Sequence, residues 1–253
     1  MVLRSTRQSP ESLLSPMIVE PSLHQRRRPP TLGELKGIPW MELLLPDERE
    51  RAVSELVVSQ AVPGEHICRV GRPVTYWFGV VDGLLKMSTD NAQGTTMTFT
   101  GLPPGGWFGE GTALKREPYR YNVLALRRSL VAGLPVKTFD WLLDHSIGFN
   151  RFVMGQLNER LAQFIAAREI DRLTNPDLRV ARNLAALFNP ALFPGVGEVL
   201  RITQQELAYL VGLSRQRVNE ALRTLEAYAV IRVEYGGLRV LDLKRLRSDS
   251  FSA

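Results

Sequence analysis

The spacing of apolar residues along the chain changes twice, and the changes divide it into stretches of different regular structure. A helix is predicted in PDERERAVSEL, residues 46–56, where Pro46 suits the first helical position. From Val57 to about Leu134, short alternating or wholly apolar segments are separated by glycine and proline. Such segments are typical of strands in a barrel, sandwich or roll, and DNAQGT, residues 90–95, suits a hairpin tip.

From Val136 onward the pattern becomes helical. VKTFDWLLDH, residues 136–145, predicts a short helix, and residues 148–174, which lack proline, predict a long one with an apolar stripe. A stripe of this kind is most often part of an intramolecular core. A long helix between a β domain and a second domain favours instead a dimer seam, for which we expect Val153, Leu157, Leu161, Phe164 and Ile165.

The segment TQQELAYLVGLSRQRVNEALRTLEAYAVI, residues 203–231, has the pattern of a helix-turn-helix. Thr203 and Glu206 have the spacing of a capping box, and Gly212 can adopt the left-handed conformation that ends a helix. Ser214 can cap the second helix. Its apolar positions Val218, Ala221, Leu222 and Leu225 predict one buried face.

The exposed face of this second helix begins with two arginines around a glutamine. Arg215 can contact guanine O6 and N7 as a fork, and Gln216 can pair with adenine in the major groove. The alternative is an ordinary helical hairpin with a solvated arginine face. Because cap, corner glycine and core spacing agree, we favour DNA binding, with contacts from Thr203, Gln204, Ser214, Arg215, Gln216, Arg217, Asn219 and Glu220.

Two alternating segments follow in IRVEYGGLRVLD, residues 231–242. They predict a hairpin with Gly236 and Gly237 as its two-residue turn. A hairpin after a helix-turn-helix is a wing, and VLRI, residues 199–202, can pair with it.

Composition adds limits to this picture. The 253 residues carry a formal charge of +6, which permits a nucleic-acid partner without proving one. The one cysteine, Cys68, excludes an internal disulfide and an all-cysteine cluster, and its apolar surroundings favour a buried thiol over a redox role. No apolar run suits a signal peptide or membrane span, so we expect a cytoplasmic location. Residues 1–33, rich in Ser, Pro and Arg, predict a disordered basic tail.

With this order of strands, long helix and winged helix, residues 40–245 resemble the cyclic AMP receptor protein/FNR family of bacterial transcription regulators. The resemblance implies an α+β fold. Its parts are an N-terminal β-roll sensor domain of the cyclic-nucleotide-binding type over 34–146, a dimerisation helix over 147–174 and a winged helix-turn-helix over 175–253. Arg215 falls on the family's usual guanine-contacting arginine. Gln216 stands where the family often has glutamate, and Glu220 stands where the cyclic AMP receptor protein has a second base-contacting arginine. These differences predict an operator sequence different from that protein's.

GWFGEGTALKREPYRYNVLAL, residues 106–126, resembles the family's phosphate-binding cassette. In that cassette a Gly-Glu pair is followed, ten residues after the Glu, by an arginine and then a serine. Gly109, Glu110 and Arg120 match this pattern, but Tyr121 stands in place of the serine. Phe164 and Ile165 stand where the cyclic AMP receptor protein presents polar groups to adenine. Either Glu110 and Arg120 pair in a vestigial pocket, or a cyclic nucleotide or other small anion binds. The candidate effector contacts are Gly109, Glu110, Arg120, Tyr121 and Phe164.

These observations favour a homodimeric regulator that binds double-stranded DNA, requires no cofactor and has RNA polymerase as a further partner implied by the resemblance. The rival is a cyclic-nucleotide-binding module that acts through a protein partner. An enzyme is the third class, but the chain lacks a nucleophile elbow, a Walker loop and a metal-spaced His/Cys set. His24, His66 and His145 show no pattern typical of haem or metal ligands.

Overall fold

The computed structural model describes residues 25–91, 93, 96–248 and 250–251. The helices are α1 Leu32–Lys36, α2 Pro46–Glu55, α3 Glu110–Lys115, α4 Val136–His145, α5 Ile147–Ile170, α6 Pro176–Ala186, α7 Gln204–Val211, α8 Arg215–Ala227 and α9 Leu243–Leu246. The strands are β1 Val57–Ala61, β2 His66–Cys68, β3 Tyr76–Asp82, β4 Leu85–Asp90, β5 Thr96–Leu102, β6 Trp107–Phe108, β7 Asn122–Ala125, β8 Ser129–Pro135, β9 Val199–Leu200, β10 Ile231–Glu234 and β11 Gly237–Val240. Among these described helices, none has the length and apolar character that a membrane crossing requires.

Two four-stranded antiparallel sheets form the N-terminal half. One has the order β1-β8-β3-β6 and the other β2-β7-β4-β5, with β4 and β5 joined as the hairpin that the sequence predicted. Phe78 and Phe108 from the first sheet and Met87 and Val123 from the second share one core. Because both sheets bury one face against each other, the half is a β-roll. The α+β fold with an N-terminal β-roll is therefore confirmed.

The outer face of the first sheet is covered by helices. Trp77 and Trp107 lie with ring centroids 4.3 Å apart, and Trp40 contacts both at 5.7 and 5.1 Å. Phe149, from the first turn of α5, packs edge-on against Trp77 at 5.5 Å. All four rings are at most 2 % exposed, so this aromatic cluster fixes the start of α5 on the β-roll.

Part of the predicted disordered tail is ordered. Residues 1–24 lie outside the described residues, but for residues 25–33 the prediction of disorder is wrong. Arg28 exchanges backbone hydrogen bonds with Val58, and its side chain donates to Glu34 at 2.8 Å. Thr31 and Glu34 form a capping box at the start of α1. The strand edge and this cap supply partners that composition alone does not reveal.

The C-terminal half is a three-helix core with a three-stranded wing. The strand order is β10-β11-β9, so the predicted pairing of the VLRI segment with the wing is confirmed. The predicted turn is wrong by one residue, because Tyr235 and Gly236 form it and Gly236 has φ +76°. Gly237 belongs to β11, where an added Cβ would lie 2.8 Å from the carbonyl oxygen of Leu200.

The two halves pack closely against each other. Leu192 and Phe193, in the loop after α6, are fully buried and belong to the core that contains residues of both sheets of the β-roll. An added Cβ at Gly101 of β5 would lie 2.7 Å from the Leu210 side chain of α7. Arg127 of the β-roll donates to the carbonyl oxygen of Arg201. The C-terminal half is thus held against the β-roll by both apolar and polar contacts.

Candidate nucleic-acid interface and effector cavity

Local capping chemistry sets the two helices of the helix-turn-helix. The Thr203 hydroxyl accepts the N–H of Glu206 at 3.1 Å, and the Glu206 carboxylate accepts the N–H of Thr203 at 2.7 Å. Gly212 ends α7 with φ +72°, and the Ser214 hydroxyl accepts the N–H of Arg217 at 3.2 Å. The capping box, the corner glycine and the serine cap predicted from sequence are all confirmed.

The second helix, α8, is sharply two-sided. The predicted face of Val218, Ala221, Leu222 and Leu225 is at most 1 % exposed and packs on α6 and α7, as expected. The opposite face, from Arg215 onward, is exposed at the N-terminal end of the helix. Gln216 donates to Glu220 at 3.3 Å across one turn. The arginine and glutamine side chains thus stand on a rigidly supported helix end.

Arg217 has a different environment from Arg215. Its guanidinium pairs with Asp177 of α6 and lies 3.3 Å from Glu220, and its side chain is 31 % exposed. Asp177 does not cap α6, because Asn175 accepts N–H groups there and Pro176 follows it. The first-turn Asp177 is therefore free to bind α8. Arg217 ties α8 to α6, which sequence analysis did not predict.

The remaining predicted DNA contacts gather at one end of the motif. Gln204 of α7 donates to the side-chain oxygen of Asn219 on α8 at 3.0 Å, so these two residues meet. The wing exposes two further side chains that sequence analysis did not single out, Arg232 and Tyr235. Tyr235 is fully exposed at the tip of the wing. Its position directly before Gly236, a residue suited to a hairpin turn, was the sequence signal that could have predicted this exposure.

A cavity of about 920 Å³ lies between the β-roll, α5 and α7. All five effector candidates line it: Gly109, Glu110, Arg120, Tyr121 and Phe164. Leu210 and Val211, from the first helix of the helix-turn-helix, form part of the same wall. The cavity thus joins the sensor side and the nucleic-acid side of the molecule.

Of the two alternatives left open for the cassette, the pairing of Glu110 with Arg120 is wrong. The carboxylate of Glu110 lies 3.6 Å from the guanidinium of Arg160, and both side chains are at most 9 % exposed. Arg160 also donates to the carbonyl oxygen of Trp107 at 2.7 Å. Arg120 turns outward, 79 % exposed, and pairs with Glu117 three residues earlier. The signal for Arg160 was its position one turn before Phe164, a cation in an apolar stripe.

Two aromatic side chains narrow the cavity. The hydroxyl of Tyr121 lies 3.5 Å from that of Thr112, and burial raises the pKa of Tyr121 above its usual value. Phe164 of α5 packs edge-on against Phe99 of β5, with ring centroids 6.2 Å apart. These rings fill space near the cassette and present little charge to a phosphate.

The predicted dimer stripe divides into a buried and an exposed part. Val153 is 2 % exposed and belongs to the core beneath the first sheet, so its assignment to a seam is wrong. Leu157 packs against the same core. Leu161 and Ile165 are 60 % and 58 % exposed, and Phe164 is 36 % exposed. The first half of α5 is thus anchored intramolecularly, and the later half leaves apolar side chains uncovered.

Cys68, His66 and His145 lie among the described residues, whereas His24 lies outside them. Cys68 is buried in β2, and burial raises its pKa to about 12, which supports an unreactive thiol. His145 stacks on Trp141 with ring centroids 4.6 Å apart. Across residues 25–91, 93, 96–248 and 250–251, no three His, Cys, Asp or Glu side chains gather as metal ligands.

Comparison with family models agrees with this division. Residues 59–146 match the cyclic nucleotide-binding domain, and residues 178–248 match the Crp-like helix-turn-helix domain. The first match covers the β-roll from β1 to the end of α4. The second covers most of α6 and continues through the wing to α9. Helix α5 lies between the two matched regions.

Curated relatives and solved structures are similar over most of the chain. "Transcriptional regulator SdrP" of Thermus thermophilus is 30% identical over 175 residues, 67% of this chain and 81% of the relative. "Cyclic AMP receptor protein" of the same species is 25% identical over 217 residues, 86% of this chain and 99% of the relative. The structure of FixK2 from Bradyrhizobium japonicum has a TM-score of 0.62 at 15% identity, covering 76% of this chain and 95% of that one.

Proposed function

Because the chain belongs to the Crp/Fnr family of transcription regulators, we propose that two copies pair along α5 and bind a pseudo-palindromic operator through α8. The observation that carries this proposal is the exposed Arg215 and Gln216 at the N-terminal end of α8, whose opposite face is buried. A recognition helix contacts base edges with this end. Such a regulator acts where its operator lies, in the bacterial cytoplasm.

Pairing along α5 is supported by the exposed apolar side chains of its second half. Leu161 and Ile165 lie one turn apart in this half, and one residue of the first half, Met154, is also uncovered, at 57 % exposed. A seam from these residues would bring two copies of α8 into a twofold arrangement. Half-sites would then lie about 34 Å apart, roughly one turn of DNA. Val153, which is buried, takes no part in the proposed seam.

We propose three functional parts. The sensor part begins with the ordered segment at residue 25 and continues to residue 146. Residues 147–174 contain the dimerisation helix α5 and the four residues that follow it. The winged part follows from 175. RNA polymerase is a further proposed partner, which a pull-down of the polymerase on operator DNA would test. No residue set described above suggests catalysis, and the proposal contains no enzymatic step.

The cavity is proposed to be an altered effector pocket. A cyclic nucleotide is the first ligand to test, because the family model and one relative, the cyclic AMP receptor protein of Thermus thermophilus, are named for it. Three observations argue against a cyclic-phosphate clamp of the usual kind: Arg120 turns to solvent, the half-buried Tyr121 lies beside Thr112, and Phe164 narrows the cavity. We therefore expect DNA binding that does not depend on cyclic AMP or cyclic GMP.

The test is selection of binding sites from random DNA with the purified protein, with and without each cyclic nucleotide. A twofold-symmetric site enriched equally in all conditions supports the proposal. A site that is enriched only with nucleotide would keep the regulator and overturn the altered pocket. No enriched site at low salt would reject DNA binding and favour a module that acts through a protein partner.

A further inference from the structure

Four polar side chains on α6 and α8 are joined in one chain of contacts. Arg217 pairs with Asp177 of α6, and its guanidinium also lies 3.3 Å from Oε2 of Glu220. The other carboxylate oxygen of Glu220, Oε1, accepts from Nε2 of Gln216 at 3.3 Å. The contacts therefore run from Asp177 through Arg217 and Glu220 to Gln216. They start on a helix whose apolar face belongs to the core of the winged half.

Both carboxylate oxygens of Glu220 have partners within the protein. The sequence predicted Glu220 as a DNA contact, and a carboxylate that contacts a base does so by accepting from cytosine N4. In the structure, one oxygen accepts from the amide of Gln216 and the other from the guanidinium of Arg217. We therefore expect Glu220 to hold its neighbours on α8 in place instead of contacting a base.

The carboxylate also sets the polarity of the Gln216 amide. An ionised carboxylate only accepts, so Gln216 must turn its NH2 group toward Glu220. The carbonyl oxygen of Gln216 and its second amide hydrogen then stay available. Gln204 and Asn219 differ, because two amides joined at 3.0 Å stay satisfied when both of them turn over. Of these three amides, Gln216 is the one that a carboxylate commits to a single orientation.

This orientation discriminates between bases in the major groove. The oxygen of Gln216 suits a base donor, which adenine offers at N6 and cytosine at N4, whereas guanine O6 and thymine O4 are acceptors. Adenine also has N7 beside N6, and N7 accepts the second amide hydrogen. Adenine thus forms two hydrogen bonds with Gln216 where cytosine forms one.

We propose that Glu220 is a positioning residue, which orients the Gln216 amide so that Gln216 selects adenine at the base pair it contacts. The inference rests on the proposed function, because it assumes that α8 lies in the major groove of the operator. It assigns the specificity of this base pair to two residues, one that contacts the base and one that does not.

The experiment repeats the random-site selection with the full-length wild type, Gln216→Ala, Glu220→Ala and the double variant. The base pair of Gln216 is the position whose preference disappears in Gln216→Ala. We expect Glu220→Ala to lower the preference for adenine over guanine at that same position about fivefold or more. The double variant should be no less specific than Gln216→Ala alone.

Three outcomes of this selection would overturn the proposal. The first is a wild type without an adenine preference at the position of Gln216. The second is a Glu220→Ala protein that keeps the full preference. The third is relaxation by Glu220→Ala at a different position, with both positions relaxed in the double variant, which would show that Glu220 contacts a base of its own.

A purely structural role of Glu220 would give another pattern. Glu220 is exposed, and alanine is a strong helix former, so Glu220→Ala should have a thermal unfolding midpoint close to that of the wild type. An equal loss of affinity at all positions, including the one that Arg215 contacts, would show that Glu220 only supports α8 and would overturn the proposal. Glu50→Ala, which removes an exposed carboxylate on α2, is the control and should change no position.

Nuclear magnetic resonance of the free protein tests the contact without DNA. The two side-chain amide protons of Gln216 should differ more in chemical shift than those of Gln205, an exposed glutamine on α7, and Glu220→Ala should remove this difference. An unchanged Gln216 signal in Glu220→Ala would overturn the proposal even if an operator is found. The expected change without any enriched operator would reject the proposed function and the adenine contact, while the positioning of Gln216 by Glu220 would stand.

Discussion

Two arginines in the first turn of α8 show how environment separates residues of one type. Arg215 is exposed and has no ion pair among the described residues, whereas Arg217 is held by Asp177 and Glu220. A side chain that is free at the helix end can reach into the major groove. One already paired with a neighbouring helix acts mainly on the position of α8. Sequence analysis treated them alike, because Asp177 lies 40 residues away.

We expect Arg215→Ala to weaken binding to the selected operator by about 1–3 kcal/mol, since a bidentate contact to guanine contributes that much discrimination. Specificity should relax at one base pair of each half-site. Fluorescence anisotropy with a labelled operator and its single-base variants measures both effects. Arg69→Ala, an exposed arginine of the β-roll, is the control and should bind normally. An equal loss on all sequences would assign Arg215 to phosphate instead.

Arg217 and Asp177 should show coupling in stability rather than in base preference. A double-mutant cycle of Arg217→Ala and Asp177→Ala is expected to give a coupling energy of about 0.5–1 kcal/mol, because the pair is partly buried. Urea denaturation of the four proteins measures it. Additive effects of the two substitutions would show that the pair contributes nothing to the docking of α8 on α6.

The cavity marks the limit of sequence reasoning about single residues. Spacing and resemblance identified Glu110, Arg120 and Tyr121, and all three line the cavity. The partner of Glu110 could not be predicted, because Arg160 lies 50 residues later on a helix whose rotation against the β-roll sets which side chain points inward. Contacts of this kind depend on packing, which local sequence patterns do not contain.

Helix α5 has two roles, which its continuous stripe of apolar residues did not distinguish. Its first half closes the aromatic core through Phe149 and Val153, and its second half carries the exposed Leu161 and Ile165. The boundaries of the helices followed well from their caps and periodicity. The switch from buried to exposed side chains was not visible in the sequence, because the apolar spacing continues unchanged along the helix.

Leu161→Asp should therefore separate the proposed dimer, since it places a charge in an apolar seam. Sedimentation equilibrium at micromolar concentration should report a monomer. Its thermal unfolding midpoint should be close to that of the wild-type protein diluted until it is monomeric. Leu32→Asp changes a leucine on α1 that is even more exposed, at 81 %, and this variant should remain dimeric. A Leu161→Asp protein that is still dimeric would place the seam on another surface.

The short α1 offers a pH-dependent test of the ordered N-terminal segment. The hydrogen bond from Arg28 lowers the pKa of Glu34 from 4.5 to about 2. A carboxyl whose pKa is lower in the folded state stabilises the fold above pH 4.5, and this stabilisation is lost as the pH falls toward 2.

We therefore expect Glu34→Gln to be less stable than the wild type at pH 7, with a difference that narrows steadily below pH 4.5. Chemical denaturation between pH 7 and pH 3 measures it. Glu50→Gln, an exposed carboxyl on α2, provides the matched control. A difference that stays constant over this range would show that the contact between Arg28 and Glu34 does not stabilise the folded state.

For the whole molecule, the contact between the two halves is the feature that sequence analysis did not anticipate. The order of domains followed from periodicity and resemblance. Their packing depends on Leu192 and Phe193, which appeared as parts of a proline-rich loop. A loop has no periodicity from which burial can be inferred, so only the folded arrangement assigns these side chains to the β-roll core.

Phe193→Ala should destabilise the β-roll by about 3–5 kcal/mol, although it lies beyond the dimerisation helix. Tryptophan fluorescence reports the β-roll and its helices selectively, because Trp40, Trp77, Trp107 and Trp141 all precede residue 175. The fluorescence transition in urea should shift together with that of far-UV circular dichroism. Tyr235→Ala, at the exposed wing tip, should shift neither. An unshifted fluorescence transition would mean that the loop is not part of the β-roll core.

The burial of this loop also bears on how such a gene can change over time. A recombination event that joined this sensor to a foreign winged helix would remove Leu192 and Phe193 and leave a void in the β-roll core. The incoming segment would have to supply side chains of the same shape at the same place. The chain therefore carries a compatibility requirement outside both the DNA-contacting helix and the cavity. We therefore expect the two halves of the gene to be inherited together more often than either half is exchanged by recombination.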